Sequence, residues 1–557
     1  MPSPRKSNRE LALQTLQDLA GNGVRTVIVC PGARNSAWIE AVVESSTDAS
    51  LGFRFEVLNH FEERAAGFAA LGRARASGRP VAVLTTSGSA VGELLPAAME
   101  AFYTGTRVFF LTADRPRRFR GTGSPQACEQ VGILGVYCSE GLDIDGESTQ
   151  PFAFATGPKL PAGRGPVHWN VCFEEPQSES QLVAGLPAAP FDMSEARYPL
   201  VIVGELSRDE SRIVSTVLRN WGYPVITEAL SQLSTDPSLD ELRIESHRDL
   251  WQEALANGYP IDAVIRIGGV PTLRLWRDLE VHPEASKIPV LSISSLPFSG
   301  LPRAKTLHML VGDLYRLTVP APRFFGTDSY RAWRNANHAR RLDLLGLLGR
   351  HPGSEPAVFR SLSEQIPENA LVYLGNSLPI REWDLVAHRE PRFAARTIAA
   401  SRGLNGIDGQ LSTFFGMMSA TGSGSADGTT TAPAESWAIL GDLTALYDST
   451  APWILREFER SGAAPSDWHL AIVNNSGGRI FDRVFGKPAY INEHSIGFEE
   501  WAQQWSLSYA RIDLRTPGTS VVQFIKTLRE SGSLPQVIEI IPDAVATAVF
   551  WKDWEGT

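Results

Sequence analysis

Gly441-Asp442-Leu443-Thr444 follows the apolar run Trp437-Ala438-Ile439-Leu440, and Asn474-Asn475-Ser476-Gly477-Gly478 follows Leu470-Ala471-Ile472-Val473. Each run is short, continuous and closed by turn residues, the pattern of a strand buried on both faces of a parallel sheet. One turn offers a carboxylate and the other an amide oxygen. Hard cations such as Mg²⁺ take oxygen ligands and usually share them with phosphate. Small residues at both turns let a diphosphate approach backbone N–H groups at the next helix start. A second description stays open, in which Gly-Asp and Asn-Asn-Ser-Gly-Gly are ordinary turns.

The same alternation runs outward through the chain. Residues 11–20 read as a helix, 26–29 as a buried strand, 61–76 as a helix, 81–85 and 108–112 as strands, with a helix up to 103 between them. Strands at 200–203 and 263–267 open a second α/β region, 328–348 is an arginine-rich amphipathic helix, and a third region holds strands at 371–374 and 536–541. Short apolar β runs separated by helices predict parallel βαβ units with functional loops at the strand C-terminal ends. The expected fold is α/β, with three doubly wound parallel-sheet domains: 1–185, a middle domain 195–325, a connector helix 326–354, and 355–557. The first and third regions read as two copies of one fold. Residues 186–199 read as a Pro-rich linker, and 421–435, rich in Gly, Ser, Thr and Ala, as a surface loop.

Bulk properties narrow the class. The chain has 557 residues, 43% of them hydrophobic and 20% charged, the balance of a globular protein of several domains. Its formal net charge of −10 argues against general nucleic-acid binding. The apolar runs are too short to span a bilayer, and the start of the chain has no signal-peptide core. Four cysteines, with neither a CxxC nor a histidine at metal spacing, suit a reduced, cytoplasmic setting. Cys30 reads as a small apolar filler.

The pairing of Gly441-Asp442 with Asn474-Asn475 resembles the signature of thiamine-diphosphate (ThDP) enzymes. In that setting Glu62-Glu63-Arg64 has two readings. The acids favour a helix start through the macrodipole, or one of them hydrogen-bonds the cofactor's aminopyrimidine ring and handles its proton. Arginines stand at five strand-end loops, Arg34, Arg115, Arg274, Arg381 and Arg402. Guanidinium forks suit a substrate bearing several carboxylates, and pairing with Asp114, Glu382 or Asp408 is the plainer alternative. Ser87-Gly88-Ser89 is either a phosphate turn or a helix cap. Gly121-Thr122-Gly123 lacks the third glycine of a dinucleotide fingerprint, which removes a plain nucleotide-binding reading.

Further motifs narrow the resemblance to the 2-succinyl-5-enolpyruvyl-6-hydroxy-3-cyclohexene-1-carboxylate synthase family of menaquinone biosynthesis. They are Cys30-Pro31-Gly32-Ala33-Arg34, Phe61-Glu62-Glu63-Arg64, Thr86-Ser87-Gly88-Ser89-Ala90, Leu111 to Pro116, and Gly121-Thr122-Gly123 through Gln126. In the third region they are Gly375-Asn376-Ser377-Leu378 with Arg381, Ser401-Arg402-Gly403, Gly441 to Asp448, and Asn474 to Phe481. Leu443, where many ThDP enzymes have glycine, points the same way. The resemblance implies ThDP-dependent decarboxylation of 2-oxoglutarate and conjugate addition of the succinyl unit to isochorismate, with CO₂ released. It makes 1–185 the pyrimidine-binding domain and 355–557 the diphosphate-binding domain. It implies Asp442, Asn475 and the Gly477 carbonyl as ligands of Mg²⁺ (Mn²⁺ the alternative). Glu63 becomes the catalytic glutamate, given by the partner subunit of a homodimer or homotetramer. Ser87, Gly441, Leu443, Thr444, Gly478, Ile480 and Phe481 become cofactor contacts. Ser377 and Arg381 fall to 2-oxoglutarate, and Arg34, Arg115, Gln126, Arg274 and Arg402 to isochorismate.

Departures from the family pattern are Ala33 for serine, a loose match around Gly268 to Arg274, and Val484-Phe485 where Leu-Pro is frequent. The 30 residues between Leu443 and Asn474 exceed the family spacing slightly, and 461–467 reads as the insertion responsible. The alternatives are another ThDP-dependent 2-oxoacid decarboxylase or carboligase, and a catalytically silent ThDP-fold binding protein. The presence of Glu63, Asp442 and Asn475 speaks against the silent protein.

Overall fold

The structure is a computed structural model that describes residues 5–152, 160–174, 196–245, 247–282, 285–296, 298–302, 304–309, 311–317, 327–421, 433–461, 467–482 and 485–555. Most of the segments read at 186–199, 421–435 and 461–467 lies outside these residues, as does Val484.

The first sheet is built from β1 (Thr26–Val29), β2 (Glu56–Asn59), β3 (Val81–Thr85), β4 (Val108–Asp114), β5 (Glu140–Ile144), β6 (Thr149–Phe152) and β7 (Val167–Cys172), in the order 2-1-3-4-7-5-6. The middle sheet holds β8 (Pro199–Val203), β9 (Val225–Thr227), β10 (Ala263–Ile267), β11 (Val290–Ser294) and β12 (Lys305–His308), in the order 12-11-10-8-9. The third holds β13 (Leu371–Leu374), β14 (Thr397–Ala399), β15 (Ser436–Gly441), β16 (Trp468–Val473), β17 (Tyr509–Asp513) and β18 (Val537–Ile541), in the order 14-13-15-16-18-17. Setting aside β6, the parallel strands of the first and third sheets follow one winding: second, first, third, fourth, sixth, fifth in chain order. The two-copy expectation is met in topology.

The central strands are buried on both faces, which is why strands such as β1, β3, β13 and β15 read as largely apolar runs. In β1, Val27 and Val29 join an apolar cluster with Leu11, Leu16 and Trp38, while Ile28 joins the opposite one with Ala66, Ala70 and Ala97. In the third sheet Val372, Leu374, Trp437 and Ile439 enter one cluster, and Leu371, Tyr373, Ala438 and Leu440 the other. Successive side chains of a strand point to opposite faces, so each strand feeds two cores. The helix Asp328–Arg350 gives Tyr330 and Trp333 to a cluster of the middle sheet, and Leu344, Leu347 and Leu348 to one of the third.

Strands read at 26–29, 81–85, 263–267 and 371–374 have those bounds in the structure. Other ends shift by one to three residues, as in Asn8–Gly21, Val108–Asp114 and Val537–Ile541, and three further features differ from expectation. An antiparallel pair, β5 with β6, closes one edge of the first sheet. The helix expected up to 103 is two, Ser89–Gly92 and Leu95–Tyr103, because Pro96 cannot donate its missing N–H and instead sits in the first turn of a new helix. The helix expected from 61 starts at Glu63, since the Glu62 side chain accepts the Ala65 N–H as its cap.

The chain forms two compact units. One contains the first sheet together with Gly403–Gly406 and Gly478–His494, and the other contains the middle and third sheets. Gly478–His494 joins the first unit through aromatic packing. Phe481, Phe485 and Tyr490 belong to the apolar cluster behind β1, with the Phe485 and Tyr490 rings stacked at 4.2 Å. No helix among the described residues is long and apolar enough to cross a membrane.

Candidate active site

The expected cation ligands sit at the ends of adjacent strands β15 and β16. Asp442 is 2% exposed and opens the short helix Asp442–Tyr447. Its Oδ1 accepts the Leu443 N–H at 2.7 Å, and its Oδ2 accepts the Gly477 N–H at 2.9 Å. The turn after β16 separates its two asparagines. Asn474 is structural: Nδ2 donates to Glu539 Oε1 at 2.6 Å and to the Ile496 carbonyl at 2.9 Å, and Oδ1 accepts the Ser476 N–H at 3.2 Å. Asn475 donates Nδ2 to both carboxylate oxygens of Glu355, at 3.1 and 3.0 Å. Ser476 (φ 64) and Gly477 (φ 133) carry the chain through the turn in conformations that L side chains rarely adopt. A carboxylate, a side-chain amide and a backbone carbonyl at these two turns could together offer an all-oxygen donor set, the type that fits a hard divalent cation.

In the same unit, Ser377 (φ 71) precedes the helix Leu378–Val386 without a side-chain cap hydrogen bond, and its carbonyl accepts Arg381 Nη1 at 2.5 Å. Arg402 donates Nη1 to Asn376 Oδ1 at 2.6 Å, and Asn376 Nδ2 donates to the Ser401 carbonyl at 2.8 Å. Burial, with repulsion from Arg381 next, pulls the Arg402 guanidinium down to about 9, although Glu228, Asp384 and Glu205 oppose the shift. Two guanidinium groups near one another favour an anion beside them. Arg274 is placed differently, exposed on the first turn of Arg274–Val281 with Nε 3.5 Å from Asp278, an ion pair within its own helix that the sequence reading did not name.

The loop before Arg274 contains features that the sequence reading missed. Thr272 Oγ1 donates to Glu228 Oε1 at 2.8 Å and to Asp384 Oδ2 at 3.3 Å, while the Ala229 N–H donates to Asp384 Oδ1 at 2.6 Å. Burial pushes both acids above the usual carboxylate range, and the Asp384 charge pushes Glu228 further. Glu228, Thr272 and Asp384 lie far apart in the chain, and no local pattern marks them. Glu355 was also missed, because an acid beside a proline at a helix start reads as an ordinary first-turn residue.

The first unit gathers the remaining residues at the ends of β1, β3 and β4. Glu63 is 8% exposed at the start of Glu63–Ser77, and Thr85 Oγ1 reaches its Oε1 at 3.5 Å. The structure thus divides the pair: Glu62 caps the helix, and Glu63 lies buried beside β3. Cys30 lies within the field of both acids. Burial and their charge push its thiol up, so it stays neutral. Gly32 has no room for a Cβ, which would strike the Thr86 side chain, so the β1 and β3 turns touch directly. Ser87 Oγ and Thr86 Oγ1 are buried and have no hydrogen-bond partner among the described residues. The helix after this turn is capped by no side chain, so Ser87 is not its cap.

Arg34 is 7% exposed and donates Nη1 to the Phe173 carbonyl at 3.1 Å. Arg115 donates Nε to the Pro125 carbonyl at 2.8 Å, its guanidinium 4.9 Å from the Phe119 ring centre. Asp114 accepts from Arg120 at 3.1 Å and from Asn170 at 2.9 Å. Gln126 (φ 55) backs onto the Ser87-Gly88 turn, where a Cβ on Gly88 would stand 3.2 Å from Gln126 Cα, and its N–H donates to the Leu404 carbonyl at 3.1 Å. Gln130, another residue the sequence reading missed, ties this turn to its neighbours: it accepts the Gly88 N–H at 2.9 Å and donates to the Ala113 carbonyl at 3.1 Å. Gly478, Ile480 and Phe481 also belong to this unit, and Phe481 faces Tyr490 with ring centres 6.2 Å apart.

Residues 10–133 match the family model described as "Thiamine pyrophosphate enzyme, N-terminal TPP binding domain". The chain is 35% identical over 567 residues to the 2-succinyl-5-enolpyruvyl-6-hydroxy-3-cyclohexene-1-carboxylate synthase of Bdellovibrio bacteriovorus, covering 99% of each. Synthases of the same name from Akkermansia muciniphila and Chloroflexus aurantiacus are 31% and 32% identical to it; these alignments cover 94% of each chain, and 88% of this chain with 87% of the relative.

Proposed function

Because the chain belongs to the 2-succinyl-5-enolpyruvyl-6-hydroxy-3-cyclohexene-1-carboxylate synthase family, we propose that it decarboxylates 2-oxoglutarate with ThDP and adds the succinyl unit to isochorismate, releasing CO₂ in menaquinone biosynthesis. ThDP supplies the electron sink for loss of CO₂ and for carbon–carbon bond formation. The observation that carries the reading is the oxygen set at β15 and β16, where the Gly477–Asp442 contact of 2.9 Å ties one turn to the other. Asp442, Asn475 and the Gly477 carbonyl hold Mg²⁺, with Mn²⁺ as the alternative, against a diphosphate that meets Gly441, Leu443, Thr444 and Gly478.

Glu63 is the catalytic residue. Its buried carboxylate exchanges a proton with the aminopyrimidine ring, which Ser87 also contacts. Ile480 and Phe481 wall the cofactor. Ser377 and Arg381 orient 2-oxoglutarate, and Arg34, Arg115, Gln126, Arg274 and Arg402 bind the carboxylates of isochorismate. In this reading 1–185 is the pyrimidine-binding domain, 195–325 the middle domain, 326–354 the connector and 355–557 the diphosphate-binding domain. A homodimer or homotetramer in the cytoplasm, with Glu63 contributed across subunits, completes the site. Its partners are small molecules, not nucleic acid. The test is a two-substrate assay with ThDP and Mg²⁺, read by mass identification of the product. Consumption of 2-oxoglutarate should require isochorismate; equal turnover with pyruvate and no second substrate would overturn the assignment.

A further inference from the structure

Glu355 stands out among the residues that the reaction does not use. It is 3% exposed, although the first turn of a helix normally shows its acid to solvent. Its backbone is fastened from behind: the Glu355 N–H donates to Thr547 Oγ1 at 2.9 Å, and the Asp543 N–H donates to the Gly353 carbonyl at 2.9 Å. From that anchored position both of its oxygens accept Nδ2 of Asn475.

The consequence concerns Asn475. The backbone of its turn is already pinned by Asn474 through Glu539 and Ile496. What the backbone leaves undetermined is the side-chain amide, whose terminal torsion is broad and roughly two-fold. The two orientations exchange a donor for an acceptor. A carboxylate accepts and cannot donate, so Glu355 selects the orientation with NH₂ toward itself and the carbonyl oxygen away from it. Only in that orientation is Asn475 an oxygen ligand.

We propose that Glu355 is a positioning residue for the divalent cation, fixing the Asn475 amide so that Oδ1 is presented as a ligand. The inference rests on the proposed Asp442–Asn475–Gly477 site. Outer-shell partners of this kind are typically worth roughly 10–100-fold in metal affinity. Glu355→Gln keeps shape but replaces two acceptors with one acceptor and one donor, so either orientation of Asn475 can be met.

The experiment follows ThDP binding by tryptophan fluorescence while Mg²⁺ is titrated into wild-type protein, Glu355→Gln, Asp442→Ala and Asn475→Ala. The Mg²⁺ half-saturation of Glu355→Gln should rise roughly 10–100-fold, with ThDP affinity at saturating Mg²⁺ largely restored. Glu355→Gln should add nothing in the Asn475→Ala background, because it acts through that amide. A Glu355→Gln titration that superposes on wild type, while Asp442→Ala loses Mg²⁺ dependence, overturns the role of Glu355. Unchanged Mg²⁺ dependence in Asp442→Ala overturns the site reading itself. Glu355→Asp keeps the charge and withdraws the acceptors by one methylene. It is read alongside, and should Glu355→Gln fail to fold, a wild-type titration in Glu355→Asp overturns the proposal.

Discussion

The first and third sheets are wound in the same order, yet their strand ends carry opposite chemistry. At the third strand of that winding, β3 ends in Thr86-Ser87-Gly88 and β15 in Gly441-Asp442. At the fourth, β4 ends in Asp114-Arg115 and β16 in Asn474-Asn475. The third sheet presents an acid and two asparagines, one bonded to Glu539 and Ile496 and the other to Glu355. The first presents buried hydroxyls, arginines and, from the helix after β2, Glu63. A shared winding therefore fixes where loops gather, while the residues in the loops fix what they do. In the proposed reading, one copy serves a cation and its diphosphate, the other proton exchange and carboxylate recognition.

The largest expected effects break that division. Glu63→Gln should lower kcat roughly 10²–10⁴-fold while leaving the Mg²⁺ dependence of ThDP binding close to wild type. Asp442→Ala should do the reverse, removing Mg²⁺-dependent binding itself. Steady-state kinetics beside a fluorescence titration separates the two, and a loss of ThDP affinity in Glu63→Gln as severe as in Asp442→Ala would mean that the two sheets do not divide the work. Arg402→Ala comes next. It removes a cation whose like-charged neighbour is Arg381, so kcat/KM should fall roughly 10–100-fold, mainly through KM for one carboxylate substrate. A fall confined to kcat would place Arg402 in the chemistry instead.

Much of this was legible in the sequence because parallel strands buried on both faces announce themselves. β1, β3 and β13 are largely apolar runs, β10 is interrupted only by the buried Arg266, and all four have their expected bounds. The β5–β6 hairpin was not legible: Glu140–Ile144 and Thr149–Phe152 mix polar with apolar residues, and β6, at the sheet edge, has no buried residue. The site divides the same way. Asp442 and Asn475 sit in local motifs, whereas Glu355, Gln130 and the Glu228–Thr272–Asp384 cluster act through partners distant in the chain. A lone Glu in Ser354-Glu355-Pro356 carries no mark of the asparagine it meets 120 positions later.

That distant cluster gives a pH prediction, smaller in size. Burial raises the proton affinity of Glu228 and Asp384, and the Asp384 charge raises that of Glu228 further. The folded protein therefore holds protons that the unfolded chain releases in the ordinary carboxylate range, so the contribution is fully present in acid and is lost as pH rises from about 5 toward 8. Glu228→Gln should flatten this decline by on the order of 1–3 kcal/mol, measured by urea unfolding at pH 5.5 and 8. Parallel pH profiles for variant and wild type would mean that the pair is ionised in both folded and unfolded states.

Ser87→Ala is the smallest change and the closest probe of the comparison, since β3 and β15 hold the same rank in the two windings. A buried hydroxyl without a protein partner is a liability to the fold, because its desolvation is not offset by a hydrogen bond. Replacing it should therefore leave the protein without cofactor equally stable or raise its stability by up to about 1 kcal/mol. The same replacement should weaken ThDP binding by a few fold, the size of one neutral hydrogen bond. Those opposite signs are what a ligand-facing group predicts, and thermal unfolding with and without ThDP reads both. If the variant is destabilised in both states, the Ser87 hydroxyl supports the turn itself, and the first sheet resembles the third only in its winding.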